Sequence, residues 1–215
     1  MACGSPPVAM ALTLAAATPA RICVLPGLDP GSYRRSPLHA SAAIWPEKNC
    51  YIDFWIELLH ARGDAPEAML PFVVGIDFDG DQWTFFKPSH DELWALYRIK
   101  VQEMTAWRPW VEHAAEHLSA GRLLSVEVDS FWLPDTAGTD YREKHGKTTI
   151  VFNDLEITAK RLGYFHNAGY YGLQGEDFDA LFYPAAPQAG EVRLPLFAEL
   201  MSWESAAVAL LSIEA

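Results

Sequence analysis

The segment PEKNCYIDFWIELLHARG, residues 46–63, predicts a helix with a broad apolar surface. At about 100° per residue, seven apolar side chains fill one arc of the helical wheel. They are Tyr51, Ile52, Phe54, Trp55, Ile56, Leu58 and Leu59. An arc of this width has to be buried against a large apolar partner, and this requirement limits the folds open to the chain.

The segments that follow offer a sheet as that partner. RLLSVEVDSFWL (122–133) and KTTIVF (147–152) are apolar and rich in residues that favour strands, and RLGYFHNAGYY (161–171) predicts a further strand. A helix that comes first and is followed mostly by strands favours an α+β fold over a doubly wound one. We therefore expect this helix to pack on an antiparallel sheet.

The length of 215 residues and the positions of Pro, Gly and Ser along the chain predict a single main domain with two appendages. Residues 1–45 contain scattered Pro, Gly and Ser and predict a weakly structured leader. An Ala-rich stretch in this leader is similar to the core of a signal peptide, but no Lys or Arg precedes Arg21. Residues 46–183 form the predicted α+β domain, and residues 184–215 a linker and a C-terminal apolar helix.

Charge and cysteine content exclude several classes of protein. Lys and Arg number 16 against 28 Asp and Glu, so the formal charge is −12. The sequence contains no basic stripe that could bind the phosphate backbone of a nucleic acid. The three cysteines, at positions 3, 23 and 50, form no CxxC pair, which favours a reducing, cytoplasmic location. Beyond the leader, no purely apolar run is long enough to predict a membrane span.

Cys50 is the first candidate for chemistry. On the helical wheel it falls on the polar side, near Glu57, although free cysteines are more often buried as small apolar residues. Asn49 is a good N-cap and would place the sulfur in the first turn. There the free N–H groups and the helix dipole stabilise a thiolate, the nucleophilic form of cysteine.

A nucleophilic thiolate needs a histidine base and a group that orients the imidazole. His145 ends a polar loop just before the KTTIVF strand, and Asn167 follows the next strand segment. Neighbouring antiparallel strands can bring such side chains together. His166 is an alternative base, although a continuing strand would point it to the face opposite Asn167.

Three other motifs are incomplete as metal or cofactor sites. HAAEH (113–117) has the H-x-x-E-H spacing of one zinc protease class, but no distal glutamate motif follows. HGKT (145–148) lacks the first glycine of a P-loop, because position 141 is tyrosine. The carboxylates of Asp77, Asp79 and Asp81 lack the glutamate that closes a calcium loop. The sequence therefore predicts no metal and no cofactor.

Several long motifs, in one order, resemble the bacterial family catalogued as domain of unknown function eighteen-thirty-nine. They are WPEKNCYIDFWIELLHARG, DFDGDQWTFFK, VEVDSFWLPDTAGTDY, HGKTTI and RLGYFHNAGYYGLQGEDFDALF, and the resemblance covers about residues 25–200. The family is encoded near amino acid:carrier-protein ligases in some bacteria. The resemblance thus implies a role in carrier-protein chemistry, with an acyl carrier protein or such a ligase as partner.

The layout is also similar, more remotely, to the papain-like N-terminal domain of the butirosin-pathway acyltransferase. This resemblance implies a papain-like domain in which Cys50 attacks a thioester or amide, His145 moves the proton and Asn167 orients His145. Glu127 or Asp129 could take the place of Asn167. Papain-like enzymes often carry a glutamine six residues before the cysteine, where this chain has Ile44, and Gln82 and Asn49 are weak substitutes as oxyanion donors.

The predicted function is cysteine-dependent acyl transfer, as an acyltransferase or a thioester or amide hydrolase, with a small-molecule acyl acceptor. The alternative is a non-catalytic module that docks a carrier protein or ligase through exposed aromatics such as Trp45 and Trp83. The order Cys–His–Asn favours the enzyme, and the absence of the glutamine favours the module.

Overall fold

The computed structural model describes residues 21–40, 49–69, 78–83, 87–183 and 197–203. In these ranges four α-helices form: α1 (Cys50–Arg62), α2 (His90–Tyr97), α3 (Trp110–Ser119) and α4 (Glu176–Phe182). The strands are β1 (Ile22–Cys23), β2 (Phe78–Asp79), β3 (Gln82–Trp83), β4 (Ile99–Met104), β5 (Leu123–Asp129), β6 (Lys147–Glu156), β7 (Arg161–His166), β8 (Gly169–Gln174) and β9 (Ala198–Trp203). Within these ranges, no helix has the length and hydropathy needed to cross a membrane.

One seven-stranded sheet organises the chain, and all of its strand pairs are antiparallel. Its order is β4-β9-β5-β6-β7-β8, and β1 pairs with the second half of β6. β2 and β3 form a separate hairpin around Gly80, where the sequence predicts a turn. The predicted α+β class is confirmed.

α1 is the predicted amphipathic helix. The Asn49 side chain accepts hydrogen bonds from the N–H groups of Tyr51 and Ile52, and Gly63 ends the helix in a left-handed conformation with φ 82°. All seven side chains of the apolar arc are at most 2% exposed. The helix lies against β6, β7 and β8, so the sheet supplies the large apolar partner that the arc requires.

The polar side of α1 is also buried, because the segment 33–39 covers it. Glu57 is fully buried and accepts hydrogen bonds from Tyr33 Oη at 2.7 Å and from the Ser36 N–H at 3.0 Å. His39 Nδ1 lies 2.5 Å from the same carboxylate, and His39 Nε2 lies 3.3 Å from Asp53. Residues 21–40 of the predicted leader are thus an ordered part of the domain, joined to α1 by its buried carboxylates.

We expect the stability of the protein to fall as the pH rises from 6.5 to 9, because in that range the unfolded chain loses the His39 proton while the folded protein retains it. Burial of the ring opposes its charge, but hydrogen bonds to Asp53 and Glu57 outweigh burial and raise the pKa from 6.5 to about 9. A raised pKa means that the stabilisation is complete below pH 6.5 and is lost as the pH passes through about 9. Urea unfolding at several pH values would measure this decline, and His39→Asn should flatten it. Equal pH dependence in both proteins would contradict the assignment.

The C-terminal segment differs from the prediction. Residues 198–203, expected in an apolar helix, form β9, which lies between β4 and β5. Ala, Glu, Leu and Met favour helix, but hydrogen bonding to two neighbouring strands overrides that local preference. The rest of the predicted C-terminal helix, residues 204–215, lies outside the described residues.

Candidate functional site

Polar side chains line one face of β5, and one end of this row lies under the start of α1. Alternate residues of a strand share a face, which places Ser125, Glu127 and Asp129 together; we call them the polar row. Ser125 is 1% exposed, and its hydroxyl donates to Glu199, which also accepts a hydrogen bond from Tyr51 of α1. The side chain of Asp129, at the other end, is 37% exposed. The row therefore runs from a buried end beside Tyr51 of α1 to a partly exposed end at Asp129.

His145 is held at the open end of the polar row. Its Nδ1 lies 2.6 Å from Asp129 Oδ2, and its ring stacks on Phe131 with centroids 4.3 Å apart. The other oxygen of Asp129 accepts the N–H groups of Phe131 and Gly146, which fixes the carboxylate. The His145 side chain is 71% exposed, and among the described residues its Nε2 has no hydrogen-bond partner. A neutral imidazole held this way carries its proton on Nδ1 and presents Nε2 as an acceptor.

Cys50 is the first residue of α1 and is half-buried with a free thiol. Within the described ranges, its sulfur makes no hydrogen bond. Near the start of α1, the hydroxyl of Tyr51 donates a hydrogen bond to Glu199. At the end of the helix, the guanidinium of Arg62 lies 4.6 Å from the ring centroid of Trp203. Because Glu199 pairs with Ser125 and Trp203 lies beyond the start of β5, the N-terminus of α1 faces the end of the sheet that carries Asp129 and His145.

Asn167 lies beside His166 rather than beside His145. It occupies the turn between β7 and β8 with a φ of 44°, and its Nδ2 is 3.5 Å from His166 Nδ1. Phe165 pairs with Val151, which puts Asn167 level with Thr149. His145 comes four residues earlier, roughly 13 Å farther along the strand direction. The group at His145 Nδ1 is instead Asp129, one of the two alternatives that the sequence leaves open.

His166 is not available as a base for Cys50. It is 1% exposed, and both ring nitrogens are engaged, Nδ1 with Asp135 at 2.6 Å and Nε2 with Thr148 at 2.8 Å. Tyr164 donates a further hydrogen bond to Asp135. This cluster fastens the turn at Asp135 to β6 and β7, on the face of the sheet opposite the polar row.

The histidine pair of α3 does not form the zinc site that its spacing suggests. His113 Nε2 accepts the N–H of Trp107 at 3.2 Å, so the neutral ring carries its proton on Nδ1 and has no lone pair left for a metal. Burial and Arg108 lower the pKa of His113, which keeps the ring neutral. No group of three or more His, Cys, Asp or Glu in the described ranges could hold a metal ion. Asp77 of the acidic hairpin lies outside those ranges.

Two features of the site escape sequence reasoning. Phe131 stacks on His145 from a short 3-10 turn after β5, whereas the sequence predicts a continuous strand to residue 133. Glu199 reaches the site from β9, in the segment predicted as a helix. The sequence signal that could have identified Phe131 is its position just after the polar strand in VEVDSFWLP. The residues around Glu199 carry no comparable signal.

A family model described as the DUF1839 N-terminal domain matches residues 34–202. The match includes all of α1, the polar row, His145 and β9 up to Ser202. No curated protein and no solved structure matches the chain.

Proposed function

We propose that this chain, which belongs to the DUF1839 family, is a cysteine enzyme of papain-like design that carries out acyl transfer. Cys50 is the nucleophile, His145 its base and Asp129 the group that orients His145. The observation that supports this most is the 2.6 Å pair of His145 and Asp129 at the end of the sheet that the N-terminus of α1 faces. A base with one nitrogen tied to a carboxylate and the other free is what a thiol nucleophile requires.

In the proposed reaction His145 Nε2 takes the proton of the Cys50 thiol, and the thiolate attacks the carbonyl carbon of a thioester or amide. The C–S bond forms, and the carbonyl electron pair moves onto oxygen, where the N–H of Cys50 and the N-terminus of α1 stabilise it. The carbonyl re-forms, the bond to the leaving thiol or amine breaks, and His145 returns the proton to that group. A nucleophilic acceptor or water then removes the acyl group from Cys50 by the same steps.

For the donor and partner we propose a carrier-protein-bound amino acid and the carrier protein or its ligase, and for the acceptor a small molecule. Support for these comes from the resemblance of the motifs to the family and not from a contact in the structure. A non-catalytic docking module is the second candidate, supported by the 78% exposure of Trp107. Trp45, named in the sequence analysis for that role, lies outside the described residues.

The direct test of the proposed function is acylation of Cys50. Incubation with a small acyl thioester, such as the acetyl ester of N-acetylcysteamine, should add one acyl group to the peptide that contains Cys50. The same treatment of Cys50→Ser should leave that peptide unmodified. Docking without chemistry would leave both proteins unmodified and would favour the module.

We also expect iodoacetamide to label Cys50 before Cys23 at neutral pH. Burial and the nearby Asp154 raise the pKa of Cys23, and its thiol donates a hydrogen bond to the Leu25 carbonyl, so little thiolate forms there. Cys50 begins α1, is only half-buried, and among the described residues its sulfur makes no hydrogen bond that would hold back its reaction. Peptide mass spectrometry after a limited reaction reports the order of labelling. Earlier labelling of Cys23, or an inert Cys50, would remove the proposed nucleophile.

A further inference from the structure

A second group of charged side chains surrounds Glu199 at the buried end of the polar row. Glu199 is 2% exposed, and its Oε2 accepts hydrogen bonds from Tyr51 at 2.8 Å and Ser125 at 3.1 Å. Its Oε1 faces Lys87 Nζ at 3.9 Å and His90 Nε2 at 3.8 Å, both beyond hydrogen-bonding distance. We call Lys87, His90 and Glu199 the Lys87 recess.

Lys87 is held in place without using its hydrogen-bond donors. Its ammonium lies 4.3 Å from the ring centroid of Tyr51 and 5.4 Å from that of Phe197, a cation–π arrangement over two rings. The side chain is 42% exposed, and among the described residues Nζ makes no hydrogen bond. An amine that is positioned by aromatic faces and a carboxylate, with its N–H groups unspent, can receive an anion without first breaking contacts.

The recess is joined to the helical turn that carries the proposed nucleophile. Tyr51, over which Lys87 lies, follows Cys50 directly, and the hydrogen bond from Tyr51 to Glu199 ties the first turn of α1 to the recess. His145 stands at the opposite end of the polar row, bonded to Asp129. A molecule lying along the row would thus meet Lys87 and His90 at one end and His145 at the other.

We propose that Lys87 and His90 form a subsite that binds a carboxylate group of the molecule that reacts with Cys50. This inference rests on the proposed function and adds to it the chemical class of one recognised group. The buried carboxylate of Glu199 offsets part of the positive charge of Lys87, so a monoanion such as a carboxylate suits the recess better than a dianionic phosphate. A ligand ammonium is disfavoured, because Lys87 and His90 stand in front of Glu199.

Two alkylating reagents of nearly equal size distinguish an effect of this subsite from a change in the reactivity of the Cys50 thiol. Iodoacetate carries a carboxylate, and iodoacetamide is its neutral counterpart. We expect Lys87→Gln to lower the ratio of the Cys50 alkylation rates, iodoacetate over iodoacetamide, roughly twofold to fivefold, the range typical of partly exposed charge pairs. The change should shrink as the salt concentration rises.

Lys87→Arg and Lys160→Gln are the matched variants. Lys87→Arg retains the charge over the aromatic rings and should keep the wild-type ratio. Lys160, exposed in the turn between β6 and β7 and paired with Asp179, is a lysine outside the recess, and Lys160→Gln should leave the ratio unchanged. The iodoacetamide rate alone shows that the fold and the thiol are intact in each variant.

An unchanged ratio in Lys87→Gln would overturn the subsite while Cys50 remained reactive toward iodoacetamide. An equal fall of the ratio in Lys160→Gln would also overturn it, because the effect would then belong to the net charge of the protein. A Cys50 that reacts with neither reagent would instead end the proposed function, and the subsite with it.

Discussion

His145→Gln should slow the acylation of Cys50 by an acyl thioester about 100-fold or more, the lower end of what a positioned general base contributes. Glutamine keeps the polarity and approximate size of the side chain but cannot accept the thiol proton. The rate is measured by quenched-flow or manual sampling followed by intact mass spectrometry, at several pH values. An unchanged rate in His145→Gln would contradict the assignment of His145 as the base.

Variants of the two candidate orienting residues decide which one acts on His145. Asp129→Asn keeps the shape of the side chain but removes the charge bonded to Nδ1, and we expect a loss of about tenfold or more. Asn167→Gly suits the left-handed φ of 44° and should leave the rate within about twofold of wild type. The opposite pattern would return the orienting role to Asn167. His60→Gln, in the last turn of α1, is the control for loss of a histidine as such.

Glu57→Ala should lower the free energy of unfolding by about 3–5 kcal/mol, the usual cost of removing one partner from a buried ionic cluster. Three donors converge on that carboxylate from the segment 33–39: the hydroxyl of Tyr33, the N–H of Ser36 and the ring of His39. Alanine would leave the Ser36 N–H and His39 Nδ1 without their acceptor, and the Tyr33 hydroxyl would keep only its longer hydrogen bond to the backbone carbonyl of residue 57. Urea denaturation followed by circular dichroism gives the value.

Glu67→Ala is the matched control, since Glu67 is an exposed glutamate just after α1. Its effect should stay within about 0.5 kcal/mol. A loss below about 1 kcal/mol in Glu57→Ala would mean that the segment 33–39 is held by apolar contacts alone, without a contribution from the carboxylate.

The sequence predicted those helices whose ends are marked by capping or stop residues. α1 has a cap at Asn49 and a stop at Gly63, and α2 has the capping box of Ser89 and Glu92 that its spacing predicts. Elements defined by distant partners were not predicted. β4 alternates apolar and polar residues over only four positions, and β9 begins with four helix-favouring residues. β6 continues through Asn153 and Asp154, beyond the predicted segment 147–152, because Asn153 bonds the backbone of Leu25 and β1 pairs with this end of the strand.

The candidate site was predicted in part for a similar reason. The position of His145 just before β6 and of Cys50 at the start of α1 could be inferred from neighbouring residues. The partner of His145 depends on strand register, which the sequence does not give. Asp129 pairs with Lys147, two residues after His145, whereas β7 ends opposite the interior of β6 and carries Asn167 away. One strand register therefore favours Asp129 over Asn167.

The position of β9 has a consequence for how the chain folds during synthesis. β9 joins β4 to β5, so about 70 residues separate the end of β5 from the strand that must be inserted beside it. While residues 198–203 are still inside the ribosome, β5 lacks one neighbour and β4 has none in the sheet. The nascent chain then exposes open strand edges, which are prone to association with other chains. Completion of the sheet is therefore a late step, and chains stalled before β9 should depend most on chaperones.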